Sequence, residues 1–192
     1  MPWPARLSAG LDLFRGAIDA HLTLEPKMEA GTRSALRWAV GLALSVWAAL
    51  AAVIVLTNVV FPSRTDNDGI SVLLGYLGIF AALYYTGVRA ARVTPSRWIA
   101  VISGAIAGAL IGFLTIATFL AVDNTFLDIV SQQQSKIDGL ANSGMTSMRD
   151  YINASLLPGL GFLSVALAVL GAGLAFLGSG FHPRSPVAQP EK

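Results

Sequence analysis

The 192-residue chain has no cysteine, which excludes disulfides, thiolate metal sites and S-palmitoylation. Charge is scarce as well. Asp, Glu, Lys and Arg make up 12% of the residues, about half the usual share of a soluble domain. A soluble fold of this length needs more charge than that to cover its surface. Histidine is limited to His21 and His182. The net charge of +2 is too small to point to nucleic acid, so no nucleic-acid partner is expected. Residues 1–36 contain no continuous apolar run, so no cleavable signal peptide is expected.

What the chain does have is apolar sequence in long runs. Hydrophobic residues make up 54% and the mean hydropathy is +0.63. Four stretches carry no ionisable side chain: residues 38–61, 70–88, 98–122 and 154–181. They contain 24, 19, 25 and 28 residues, enough for helices crossing a hydrocarbon core of about 30 Å. Pro62 ends the first, and Pro158 with its neighbouring glycines bends the start of the last. A backbone in lipid must satisfy its own hydrogen bonds, and no run shows the alternation of a membrane barrel, so each stretch is predicted to be a helix. The predicted class is all-α, a polytopic membrane protein with four transmembrane helices.

Orientation follows from the basic residues outside the spans. Ten Lys and Arg lie in residues 1–37, the 89–97 loop and the tail, against three in the other two loops. Those two loops also carry six of the eleven acids. Both termini are therefore expected in the cytoplasm, with Trp38 and Trp98 beside Arg37 and Arg97 as interfacial anchors. The composition, rich in Ala, Gly, Val and Leu, suggests a GC-rich bacterial genome and hence the inner (plasma) membrane.

Two amphipathic elements lie outside the spans. In residues 5–22, Leu7, Leu11, Phe14, Ile18 and Leu22 recur every three or four positions on one helical face. That face has three possible uses: packing on the protein's own bundle, lying in the membrane surface, or docking on a partner. Residues 123–153 read as a helical hairpin over the outer face. Thr125 or Asn124 would cap a first helix carrying Phe126, Ile129, Val130, Gln133, Ile137 and Leu140. Asp138-Gly139 and Asn142-Ser143-Gly144 would stop it, and a second helix would start near Ser143 and run into the fourth span. The loop either caps its own bundle or docks a partner. Asn153-Ala154-Ser155 matches a glycosylation sequon but sits at a membrane boundary. Residues 182–192, with three prolines and no periodicity, are expected to be a disordered tail.

The charge-free spans lower the expectation of a pump or proton-coupled transporter, which needs ionisable groups at depth. Intramembrane hydrolysis lacks paired carboxylates, a histidine pair beside a glutamate, or a base near a serine. Asp66-Asn67-Asp68-Gly69 lacks the remaining ligands of a calcium loop and reads as a polar turn. Neither His21 nor His182 lies in a span, so haem or pigment ligation is not expected. No catalytic residue, cofactor or metal is predicted.

The strongest positive motif is Gly104, Gly108 and Gly112, spaced by four along the third span. Such a stripe lets a second helix backbone approach closely. The partner is either another helix of the same chain, such as the fourth span with Gly171 and Gly173 or the second with Gly75 and Gly78, or another subunit. Asn58, Tyr84, Tyr85, Thr115 and Thr118 are the groups in spans placed to hydrogen-bond between helices. The function expected is that of a non-catalytic membrane protein working through helix contacts. It would be an accessory or assembly subunit of a membrane complex, or a self-associating scaffold. Its partners would be membrane lipids and other membrane subunits or copies of itself. The alternative is an oligomeric channel or transporter for lipid-like or small neutral molecules.

Overall fold

The computed structural model of the protein describes the backbone of residues 4–62 and 69–180 and the side chains of 30–62, 69 and 72–180. Helix α1, Pro4–Val55, continues into a π-helical turn, Leu56–Val60. Then come α2 (Gly69–Val93), α3 (Arg97–Thr125), the short α4 (Leu127–Val130), α5 (Gln134–Ser143) and α6 (Met148–Gly180). No strand occurs among the described residues. Four segments are long and apolar enough to cross a membrane: Ala30–Val60, Val72–Val93, Arg97–Thr125 and Met148–Gly180. They are compatible with a multi-pass membrane protein.

Local chemistry explains where these helices stop. Pro95 has no N–H and disfavours helical backbone in the residue before it, so α2 ends at Val93. The tight link to α3 is held by the Ser96 N–H, which donates to Thr94 Oγ1 at 3.3 Å. Gly144 takes a left-handed φ of 70°, which ends α5 at low steric cost.

The helices run alternately up and down. Ala35 of α1, Ala90 of α2 and Ala100 of α3 converge at one end, where their small side chains bring the three backbones together. At that end Gly178 of α6 also meets Tyr84 and Val88 of α2. Arg33, Arg37, Arg89, Arg92 and Arg97 belong to this arginine-rich end. The opposite end carries α4 and α5 and will be called the loop end. The core between them is Ala39, Ala43, Ile79, Leu83, Ala107, Ile111 and Leu167. Helix α3 contributes the most buried span and touches each of the other three spanning helices, so it is the hub of the bundle.

Several boundaries differ from the sequence-based expectation. Residues 5–22 are helical, but within the uninterrupted α1 rather than as a separate element. What Leu7, Leu11, Phe14 and Ile18 face lies outside the described side chains, as does His21. The first loop at 63–68 and the tail with His182 lie outside the described residues. The 123–153 segment is not a two-helix hairpin. Asn124 and Thr125 finish α3 instead of capping a new helix. A turn at 131–133 then separates α4 from α5. Asp138-Gly139 does not stop α5, which runs on to Ser143. Gly139 is kept small by the Tyr151 ring, whose hydroxyl fills the place of a Cβ. α6 starts at Met148 and passes through Pro158 without ending.

Candidate functional site

The glycine stripe of α3 is filled from within the chain. Gly104 faces the carbonyl of Gly171, Gly108 that of Leu167, and Gly112 that of Leu163. Both series step by four residues, so the two helix faces stay in register over two turns. A Cβ on Gly104 or Gly108 would overlap the facing carbonyl oxygen, and one on Gly112 would lie 2.8 Å from it. Gly87 of α2 makes the same close approach to Ala175 of α6. Helix α6 therefore occupies the groove, held by van der Waals contact between backbones.

Polar side chains gather toward the loop end, and four of their hydrogen bonds join different elements. The Trp47 indole N–H of α1 donates to Thr118 Oγ1 of α3 at 2.9 Å, and that hydroxyl donates back to Leu114 O at 2.8 Å. Asn124 Nδ2 donates to Asn153 Oδ1 at 2.8 Å, tying α3 to α6. Asp123 is 1% exposed; its Oδ2 accepts from Lys136 Nζ of α5 at 2.9 Å, while Oδ1 is buried with no partner. Val122, Val130 and Ile152 are buried at this end as well.

These hydrogen bonds differ in what their loss costs. Thr118→Val leaves the indole N–H without an acceptor, whereas Trp47→Phe removes donor and need together. Thr118→Val is expected to destabilise the protein by about 1 kcal/mol, and Trp47→Phe/Thr118→Val by less than the sum of the single changes. Unfolding midpoints of the three variants in one detergent check this; strictly additive losses would show that the bond does not form.

Beneath the loop lies a cleft of about 360 Å³ between α1, α2, α3 and α6. Leu50, Ile54, Ile79, Phe119, Leu163 and Leu167 supply apolar lining, and Thr57, Asn58, Tyr76 and Thr115 the polar groups. Ile54, Ile79 and Leu167 are buried, while Val53 of α1 and Val72 and Tyr76 of α2 are exposed, so the cleft opens between α1 and α2. The π-helical turn shapes its polar end. There Phe61 N–H bonds to Leu56 O, five residues back, and Thr57 and Asn58 belong to the lining. Such turns recur at functional sites. Asn58 Nδ2 donates to Ile54 O at 2.9 Å, and Asn58 Oδ1 accepts from Gln133 Nε2 at 3.2 Å. The loop is thereby fastened over the polar end. Thr57, Thr86 and Thr118 each turn their hydroxyl back to a carbonyl four residues earlier; the buried Thr115 Oγ1 has no partner.

At the arginine-rich end the Arg89 guanidinium lies 5.1 Å from the centre of the Trp38 ring. Tyr85 meets the same ring edge-on at a centroid distance of 6.4 Å. This cation–π stack ties α1 to α2 where both leave the apolar region.

No known protein family, curated protein or solved structure matches the chain.

The cleft beneath the loop is lined by uncharged side chains. Its lining offers hydroxyls, a phenol and an amide, but no carboxylate or imidazole to act as a base. Among the described residues, no three or more His, Asp or Glu side chains are grouped to hold a metal. Of the five groups singled out for contacts between elements, Thr118 and Asn58 make such bonds, Tyr85 stacks on Trp38, Thr115 has no partner, and Tyr84 is partly exposed. Sequence reasoning missed Trp47, the bond of Gln133 to Asn58 and the pairing of Asp123 with Lys136. Only Trp47 had a signal, as a lone indole N–H inside an apolar span that must find an acceptor.

Proposed function

We propose that the chain is a non-catalytic integral membrane protein that works through contacts in the bilayer, as an accessory or assembly subunit or a self-associating scaffold. The observation that supports this is the segregation of its chemistry. Every described Asp, Glu, Lys and Arg side chain belongs to one of the two ends, and the length between them is apolar apart from a few hydroxyl, amide, phenol and indole groups. With the α3 groove already filled by α6, partners are left the exposed apolar flanks of the bundle, of which that of α2 and α6 is the one proposed here for contact. There Leu73, Leu74, Leu77, Phe162, Val165 and Val169 are exposed. By the positive-inside rule the arginine-rich end is cytoplasmic, the loop end faces outward, and both termini are inside.

The absence of cysteine makes the reading testable with single introduced thiols. The protein should stay in the pellet on alkaline carbonate extraction. Ser143→Cys should react with an impermeant maleimide on intact cells, and Ser96→Cys only after permeabilisation. In native membranes, Val169→Cys or Leu73→Cys should crosslink to one defined neighbour, either a second copy or a foreign subunit. A protein that stays monomeric and crosslinks to nothing from α2 or α6 sinks the contact reading, and release by carbonate sinks the membrane reading.

A further inference from the structure

Arg89 is the basic residue of α2 nearest the apolar core. The helix runs about one further turn, to Val93, and carries no charge from Ile70 to Val88. A cation at that depth usually pairs with an acid. Here the described aspartates, Asp123, Asp128, Asp138 and Asp150, all belong to the loop end. The Arg89 guanidinium is held instead over the Trp38 ring, 5.1 Å from its centre, and Tyr85 meets that ring edge-on. Its Nε is buried without a hydrogen-bond partner. The hollow beside it, which Ala35, Ala39 and Thr86 also line, is too small for a water molecule, and the Thr86 hydroxyl is turned to Ala82 O at 2.9 Å. Nη1 and Nη2 are not buried in this way, and Arg89 is partly exposed, so the outer edge of the guanidinium is open at the surface. The frame is fixed: a Cβ on Gly31 of α1 would overlap Val93 O of α2, and Ala35 and Ala90 are buried in one cluster between these helices.

We infer that Arg89 is the centre of a phosphate-binding site at the arginine-rich end, and that its ligand is the phosphate of an anionic membrane lipid. A guanidinium presents paired N–H groups that match two phosphate oxygens, and a ring beneath it fixes the plane of that fork before the ligand arrives. Depth selects the source. Trp38 belongs to the candidate span Ala30–Val60, and Tyr85 and Arg89 to Val72–Val93, so the site opens on the side of the bundle. Trp38 and Tyr85 are 43% and 42% exposed there. Such half-exposed Trp and Tyr side chains sit at headgroup level, where lipid phosphates lie. Charge selects the lipid. Arg37 and Arg97 are exposed at the same end and add positive potential. A choline headgroup brings its own cation into that field, whereas a glycerol headgroup leaves the phosphate charge uncompensated.

The inference rests on the membrane placement proposed above, which carbonate extraction tests separately. Its own test is competition between dioleoylphosphatidylglycerol and dioleoylphosphatidylcholine, which share their chains and a phosphate and differ in net charge. Delipidated full-length protein is exposed to equal amounts of both, and bound lipid is counted by native mass spectrometry. The anionic lipid should be retained in preference by roughly tenfold. Arg89→Gln should cut that preference by about fivefold, the worth of one basic residue at an anionic surface, with the size-exclusion mass unchanged. Arg97→Gln removes the same charge from an exposed position and should cut it by less than about twofold. Trp38→Leu keeps every charge but frees the guanidinium, and should cut the preference by roughly twofold to fivefold. Equal retention of the two lipids by the native protein overturns the inference. Equal losses for Arg89→Gln and Arg97→Gln also overturn it, because the preference then follows net charge and not a fixed guanidinium. So does a preference that survives Trp38→Leu in full. Displacement of the lipid by millimolar inorganic phosphate at constant ionic strength would assign the site to a soluble anion and overturn the lipid as its ligand.

Discussion

Lys136→Met lowers the stability of the protein by about 3–5 kcal/mol, the usual loss when one partner of a buried ion pair is removed. The cost arises on the Asp123 side. That carboxylate is 1% exposed, its Oδ1 has no partner, and its Oδ2 accepts from Lys136 Nζ at 2.9 Å. Without the ammonium a negative charge is left in a place that water does not reach. The reverse change, Asp123→Asn, is milder. Lys136 is 22% exposed and has a flexible stem, so its charge can turn to solvent when the carboxylate is gone. Replacing both partners, as Asp123→Val/Lys136→Met, removes both charges and returns stability to within about 1 kcal/mol of the native protein. Unfolding midpoints of the four proteins in a single detergent measure the pattern. Equal losses for Lys136→Met and Asp123→Asn would mean that the carboxylate is solvated, and that α5 does not cover it.

That ion pair also marks the limit of what could be read before the structure. Asp123 and Lys136 are thirteen positions apart, and the intervening chain leaves α3, makes one turn of α4 and bends at 131–133. A single helix through 125–140 keeps a plausible apolar face, because Phe126, Ile129, Val130 and Ile137 satisfy its period. What breaks that helix is tertiary: Val130 is fully buried, and Lys136 returns to Asp123. Neither contact leaves a local trace. The spanning helices were legible because their length and lack of charge are properties of continuous sequence. The polar cleft was not, since its lining comes from four helices and from a π-helical turn that no composition signals. Asn58 and Thr115 stood out as polar groups in spans, yet only the structure sets Asn58 beneath Gln133 and leaves Thr115 Oγ1 alone.

The glycine stripe lies between these cases. Its spacing announces a close helix approach but not the helix that makes it, since the second and fourth spans also carry glycines at helical spacing. The structure assigns α6, and this gives Gly108→Leu its expected result, loss of the folded monomer. The first atom of the new side chain overlaps Leu167 O, with the Leu167 carbonyl carbon at 2.5 Å and Ala168 N at 3.0 Å. These are backbone atoms, so no rotamer change relieves the clash, and α3 and α6 must separate along the whole stripe. Overpacking in a core costs about 1–3 kcal/mol where side chains can give way, and more where they cannot. Gly108→Ala should already lie in that range. Gly78→Ala and Gly161→Ala should cost nothing, because a Cβ at either position meets open space. Thermal aggregation in detergent, read beside size-exclusion mass, separates the two possible roles of the stripe. If α6 fills it, Gly108→Leu lowers the melting temperature of the monomer itself, and any loss of assembly follows from that. If the monomer melts unchanged and only an oligomer dissociates, the stripe belongs to a neighbouring subunit, and the α3–α6 pairing described above is wrong.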